Sequence, residues 1–347
     1  MRSRAAFLPV PGDAFLLLYW FDLYQKVWRD EVDKLYIYFN SPVDKEVVDF
    51  VRDYVTKDPK VDWQYLNHQS DHGPALDRML DICTEDHIVL MEDDCFTYKK
   101  GFIDEQFKKV ESGQFDAVGS QRGCSTVELL QAAEAKYGDR CHYNGHDDSG
   151  VGFWPTMFFC KKNDLLKTDR NFSGKVWREG ELIEPLNLKV SELTPSDTMV
   201  WLSIQLYELG LTFDYINSCH GRAEDIDHAS DGQNIFGGKC SYVHIGSLSS
   251  GLSGFLIDND GKLLSDGQPA TYQNYGITEQ EKGELERRLQ WWKHCFDYVI
   301  DNLEVALPPD FVERYAQGLL NCVDHYKIST KRIDERIRVY NNLMGGF

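Results

Sequence analysis

Residues 87–96 read HIVLMEDDCF. The first five are a short, continuous apolar run, which suits a strand buried on both faces of a sheet. That strand delivers Glu92, Asp93 and Asp94 side by side at its C-terminal end. Ligand sites in open α/β sheets lie along this edge. Three adjacent carboxylates repel one another, and a divalent cation shared between them relieves the cost. The plain alternative is a solvated acidic turn. What favours a functional reading is the place of the triplet in the chain.

Upstream, strand-like and helix-like stretches alternate. Residues 5–10 form an apolar run that Pro-Gly ends, and 14–28 are apolar-rich with helical spacing. Residues 34–39 (KLYIYF) are aromatic and β-prone, and Asn40-Ser41-Pro42 stops them. Helical spacing returns over 44–54, strand composition over 61–66 and a helix over 74–83. HIVLM is therefore the fourth strand of a β-α series. Crossovers of that length imply a parallel sheet with helices on both sides.

Downstream the pattern is less regular. A helix is predicted over 101–110, a strand over 115–118 and a helix within 124–137. A polar loop over 141–152 leads into a strand over 151–160, where Pro155 argues for an edge or a bulge. A helix over 196–209 is expected to take Ser196 or Asp197 as its N-cap, with Gly210 closing it. A strand follows over 211–216, then a long Gly- and Ser-rich segment over 220–254. Helical patterning over 279–303, 309–325 and 330–343 predicts a C-terminal helical region. The expected domains are 1–255, split at residue 95, and 256–347.

Composition narrows the class. The 347 residues carry a net charge of −19. That field disfavours generic binding of nucleic acid or an anionic membrane. Two local basic stretches, around Lys161–Arg178 and Lys327–Arg338, read as solvated surface or as phosphate-facing patches. Nine scattered cysteines without a CxxC pair fit reduced thiols and a cytoplasmic location. No apolar run suggests a signal peptide or a membrane span.

The acidic triplet at the end of a buried strand resembles the DxD motif of GT-A glycosyltransferases. Three downstream motifs extend the resemblance, in the family's order. GVGFWPTMFFC (150–160) is similar to the glycine-bearing loop and strand beside donor sugar and acceptor. LTPSDTMVWLSIQLYELG (193–210) is similar to the acidic segment that opens a helix below the active site, although Ser196 stands where the family usually has Glu. YVHIGSLSSG (242–251) is similar to the C-terminal histidine segment.

This resemblance implies a GT-A, Rossmann-like, mixed and mainly parallel sheet flanked by helices. It implies Asp94 and His244 as ligands of Mn2+ or Mg2+, with His220 and His228 as rivals for the histidine. Glu92 and Asp93 would face a nucleotide-sugar donor, together with Pro9, Val10, Asn40, His72, Asp77 and Arg78. Gly152, Trp154 and Ser196 would border the donor and acceptor pocket, and Asp197 would be the catalytic base. The implied activity is sugar transfer from a nucleoside-diphosphate donor, a uridine diphosphate sugar being the common choice, to an acceptor hydroxyl with inversion. A glycan, a protein, a small molecule or a hydroxylated base in modified DNA are the acceptors considered. A nucleotidyltransferase is disfavoured because PVPGD (9–13) is neither Gly-rich nor basic. A non-catalytic protein that binds a sugar nucleotide or a carbohydrate is the other alternative.

Overall fold

A computed structural model describes residues 3–10, 14–39, 45–66, 72–121, 126–138, 152–216, 218–220, 242–244, 256–257, 263–265 and 268–270. The first half alternates as expected: β1 (Arg4–Val10), α1 (Ala14–Val27), β2 (Lys34–Phe39), α2 (Lys45–Val55), β3 (Val61–Tyr65), α3 (His72–Ile82) and β4 (His87–Met91). Then come β5 (Cys95–Phe96), α4 (Phe102–Glu111), β6 (Ala117–Gln121), α5 (Val127–Tyr137), β7 (Phe153–Lys161) and α6 (Lys162–Leu165). Four two-residue strands follow: β8 (Val176–Trp177), β9 (Leu182–Ile183), β10 (Leu188–Lys189) and β11 (Thr194–Pro195). The remaining described α-helix and strands are α7 (Val200–Glu208), β12 (Phe213–Tyr215), β13 (Ser218–His220), β14 (Tyr242–His244), β15 (Leu256–Ile257), β16 (Leu263–Ser265) and β17 (Gln268–Ala270).

Seven strands form one sheet in the order β12-β6-β7-β4-β1-β2-β3. β7 runs antiparallel to both its neighbours, β4 and β6, and the other pairings are parallel. The fold class is thus the expected one, a mixed and mainly parallel Rossmann-like sheet flanked by helices. All five residues of β4 are buried. Val89 and Met91 pack with Leu17 of α1, Val48 of α2 and Phe107 of α4 in one core. Ile88 and Leu90 pack with Leu76 of α3, Leu129 of α5 and Leu202 of α7 in the other. The strand sits between two apolar layers, so the period-2 alternation of a half-exposed strand is absent from its sequence.

Three local expectations change. Pro155 marks a bulge, not an edge: β7 is central, and its register with β6 slips between Gly119 and Gln121. Helix α7 starts at Val200, not 196. Neither Ser196 nor Asp197 caps it; Met199 does, in the left-handed region at φ 69° with no side-chain cap. The reason is tertiary, because the preceding chain is held as a ribbon: Pro195 pairs with Val176, and the Ser196 amide donates to the Lys175 carbonyl at 2.8 Å. Gly210 closes the helix as expected, at φ 70°. Finally, the described part of 256–347 is a three-stranded antiparallel sheet, β15-β16-β17. The helices expected from 279 onward lie outside the described residues.

One glycine fixes how α3 docks. A Cβ on Gly73 would lie 2.4 Å from the Ser173 Cα, against backbone. Gly73→Ala should therefore displace the first turn of α3 and cost about 1–3 kcal/mol, the usual range for overpacking. A Tm unchanged from wild type would contradict this close approach.

Candidate metal centre

The chain turns sharply after β4. The Cys95 amide donates to the Glu92 carbonyl at 3.1 Å, so the three acids lie in one tight turn. The indole of Trp20, on α1, donates to the Cys95 carbonyl at 3.0 Å and anchors the far side of that turn. Glu92, Asp93 and Asp94 are 7%, 0% and 3% exposed. This excludes the solvated acidic turn: three carboxylates are held out of water at one strand end.

A second, small sheet brings the partner. β14 pairs antiparallel with β5, and His244 stands opposite Cys95. β14 is tied down by its own Tyr242, whose hydroxyl shares a 3.0 Å hydrogen bond with Thr156 of β7. His244 Nε2 lies 3.3 Å from Asp94 Oδ1 and 3.5 Å from Glu92 Oε2. One ligand atom each from Glu92, Asp94, Cys95 and His244 falls within 4.8 Å of all the others. Of the rival histidines, His220 lies beside His244 in the β13–β14 register, and His228 falls outside the described residues.

His72 approaches Glu92 from the other side. It is the first residue of α3, and its Nδ1 lies 3.4 Å from Glu92 Oε1. The Glu92 carboxylate thus sits between two imidazoles, one on each oxygen. His72 Nε2 is buried with no hydrogen-bond partner among the described residues. Burial works to lower the His72 pKa. The hydrogen bond to Glu92 and the charges of Glu92, Asp93 and Asp94 outweigh it and hold the pKa up at about 9. Three buried carboxylates beside one such imidazole leave an excess of acidic groups, which suits a cation.

The donor set fits a divalent metal. Two carboxylates and an imidazole suit Mn2+, and the carboxylates suit Mg2+. Asp94, Glu92 and His244 would hold it, and His72 would orient the Glu92 carboxylate from the outer side. The Cys95 thiol is a donor that sequence reading missed. Its only signal was adjacency to the acidic triplet.

Other candidates fall in different places. β1 is parallel to β4, so Pro9 and Val10 leave the sheet at the same edge as the acids. Asn40 directly follows the described end of β2, and it lies outside the described residues. Asp77 accepts from the Phe172 amide at 3.1 Å, which ties α3 to the segment after α6. Burial raises the Asp77 pKa against that hydrogen bond. Arg78 is exposed. Gly152 is buried against α7, where a Cβ would meet Val200 Cα and Ser203 Oγ at 3.0 Å. Trp154 lies in β7. The Ser196 hydroxyl bridges the amide and carbonyl of Lys175, each at 3.1 Å. Asp197 is half-buried in the turn before α7, and its Oδ1 accepts from the Thr198 amide at 2.7 Å. Among the described residues Cys83, Cys95 and Cys160 are free, buried thiols. No helix among them is long and apolar enough to cross a membrane.

Comparison with solved structures finds partial likenesses. A mannosyltransferase from Pyrobaculum calidifontis, solved with GDP-Man and Mn2+, is 12% identical with a TM-score of 0.42, over 62% of this chain and 55% of that one. TarS from S. aureus is 12% identical with a TM-score of 0.40, over 62% of this chain and 35% of that one. Glucosyl-3-phosphoglycerate synthase from Mycobacterium tuberculosis, solved with Mn2+ and UDP, is 12% identical with a TM-score of 0.39, over 62% and 70%. The chain spans about half the length of the first and a third of the second. No protein-family model and no curated protein matches the sequence. Likeness at this level identifies neither a donor nor an acceptor.

Proposed function

We propose that this chain is a metal-dependent glycosyltransferase that moves a sugar from a nucleoside-diphosphate donor, a uridine diphosphate sugar first among them, to an acceptor hydroxyl with inversion. The observation that carries the reading is the 3.3 Å approach of His244 to Asp94 at the end of β4. Residues far apart in sequence converge on one buried, acidic strand end, at the edge where α/β sheets bind ligands.

A bound Mn2+ or Mg2+ would neutralise the donor diphosphate and stabilise the departing nucleotide. Asp94, Glu92 and His244 are its proposed ligands. Asp93, the Pro9–Val10 end of β1 and His72 would line the nucleotide side, and Asn40 is proposed for the same role from its place in the sequence. Asp77 and the exposed Arg78, both on α3, are proposed for the same side. Gly152, Trp154 and Ser196 would border the sugar and acceptor. Asp197 would take the proton from the attacking hydroxyl as the new glycosidic bond forms.

The test is nucleotide release from a panel of sugar nucleotides with Mn2+ and with a chelator, followed by mass spectrometry of candidate acceptors. Release that needs Mn2+ and gives a product one sugar heavier supports the proposal. Donor binding without release or transfer would sink catalysis and leave a binding protein. Pyrophosphate formed from a nucleoside triphosphate and a sugar phosphate would mark a nucleotidyltransferase instead.

A smaller variant probes the scaffold. Tyr242→Phe removes the bond to Thr156 that seats β14. A loss of about 1 kcal/mol in His244 placement corresponds to a roughly fivefold weaker Mn2+ affinity. Calorimetry showing wild-type affinity would mean that β14 is seated by other contacts.

A further inference from the structure

The centre contains one donor that a hard, oxygen-preferring cation does not use. Cys95 Sγ shares the cluster with carboxylate oxygens of Glu92 and Asp94 and a ring nitrogen of His244. Cys95 is 0% exposed, and its backbone is fixed from several directions: by the turn to Glu92, by the Trp20 indole and by the pairing with His244. The backbone that carries the thiol is therefore held beside the acidic triplet.

Four donors bound to one tetrahedral ion at about 2.0–2.3 Å stand roughly 3.3–3.8 Å apart. His244 Nε2 is already 3.3 Å from Asp94 and 3.5 Å from Glu92. The whole set, within 4.8 Å, needs only a modest contraction to close on a metal. One nitrogen, one sulfur and two oxygens form a mixed set that suits Zn2+ or Co2+ better than Mg2+.

We propose that the centre has a second mode, in which a thiophilic cation such as Zn2+ or Co2+ recruits Cys95 as a fourth ligand beside Glu92, Asp94 and His244. This rests on the cation-binding reading above and adds the thiol to it. Recruitment breaks the S–H bond and forms a sulfur–metal bond; the proton passes to buffer and no electron is transferred. A hard cation prefers the carboxylate oxygens and leaves the sulfur idle. A closed four-ligand set keeps no open position for a donor phosphate. The thiophilic mode is therefore a stopped state of the same centre.

The test uses Co2+ as an optical probe on the full chain. Thiolate ligation to Co2+ gives an intense near-ultraviolet charge-transfer band. The wild type should show that band at one equivalent and lose it on adding Zn2+. Cys95→Ser should lack the band while remaining folded by circular dichroism, and Cys83→Ser should keep it. Zn2+ affinity should fall in Cys95→Ser by roughly 10–100-fold, and Mn2+ affinity by less than about threefold. A Co2+ complex that Mn2+ displaces but that lacks the band would overturn the role of Cys95 and leave the cation site standing. A band that persists in Cys95→Ser would also overturn it. Failure of the wild type to bind Mn2+, Co2+ or Zn2+ would overturn both readings. Cys95→Ala serves as the second variant if the serine hydroxyl disturbs the buried turn.

Discussion

Asp94→Ala is expected to lower metal-dependent nucleotide release by about 1,000-fold or more, the scale of losing a principal electrostatic stabiliser of a leaving group. Mn2+ binding should be lost with it. The fold should survive, for a reason visible in the turn. Glu92, Asp93 and Asp94 are all buried within four residues of chain, and like charges so placed oppose folding when no cation is bound. Removing one of them relieves repulsion. His244 also lies 3.5 Å from Glu92 Oε2, a neighbour that the substitution leaves in place. Loss of the His244 and His72 interactions with Asp94 opposes that gain, so the metal-free variant should melt close to the metal-free wild type, while only the wild type is stabilised by added Mn2+. Calorimetry and a thermal melt check both halves. Full metal-dependent turnover in Asp94→Ala would end the assignment of Asp94.

Asp197→Asn is the second large effect expected. If Asp197 is the base, kcat should fall by about 10²–10⁴-fold, the usual contribution of general base catalysis. Donor and Mn2+ affinities should stay near wild type, because the change is confined to the turn before α7. The asparagine side-chain oxygen can still accept from the Thr198 amide, as Asp197 Oδ1 does at 2.7 Å. The local turn is thereby preserved and the charge alone is removed. A kcat within a few-fold of wild type would reduce Asp197 to a turn former. A loss confined to KM would point to acceptor binding instead of proton transfer.

The two variants probe parts of the site that were unequally legible. The acidic triplet announced itself through HIVLM, because a run buried on both faces must be a central strand and its end must reach the ligand edge. The order of the first four strands and three helices follows from the same periodicities. Gly210 was readable too, since a helix that ends in a left-handed residue selects glycine. By contrast, the start of α7 was misplaced. Ser196 and Asp197 have cap-forming side chains, yet the β8–β11 ribbon holds that backbone extended, and the helix opens at Met199 instead. The resemblance implied a nucleotide-side role for Asp77 and a place in the donor and acceptor pocket for Gly152. The structure uses Asp77 to hold the Phe172 amide and packs Gly152 against α7.

Local pattern alone determined the strand that ends in Glu92, Asp93 and Asp94, since burial on both faces is written into consecutive apolar residues. The family resemblance, not local pattern, is what pointed to His72 and His244. What only tertiary structure decided is that these histidines flank one carboxylate, that Cys95 joins them, and that Ser196 is occupied by Lys175. Such facts depend on β14 crossing back to pair with β5 and on α3 docking through Gly73. Pairing between distant segments is fixed by backbone hydrogen bonds and close packing, and neither leaves a period in the sequence from which a partner can be read.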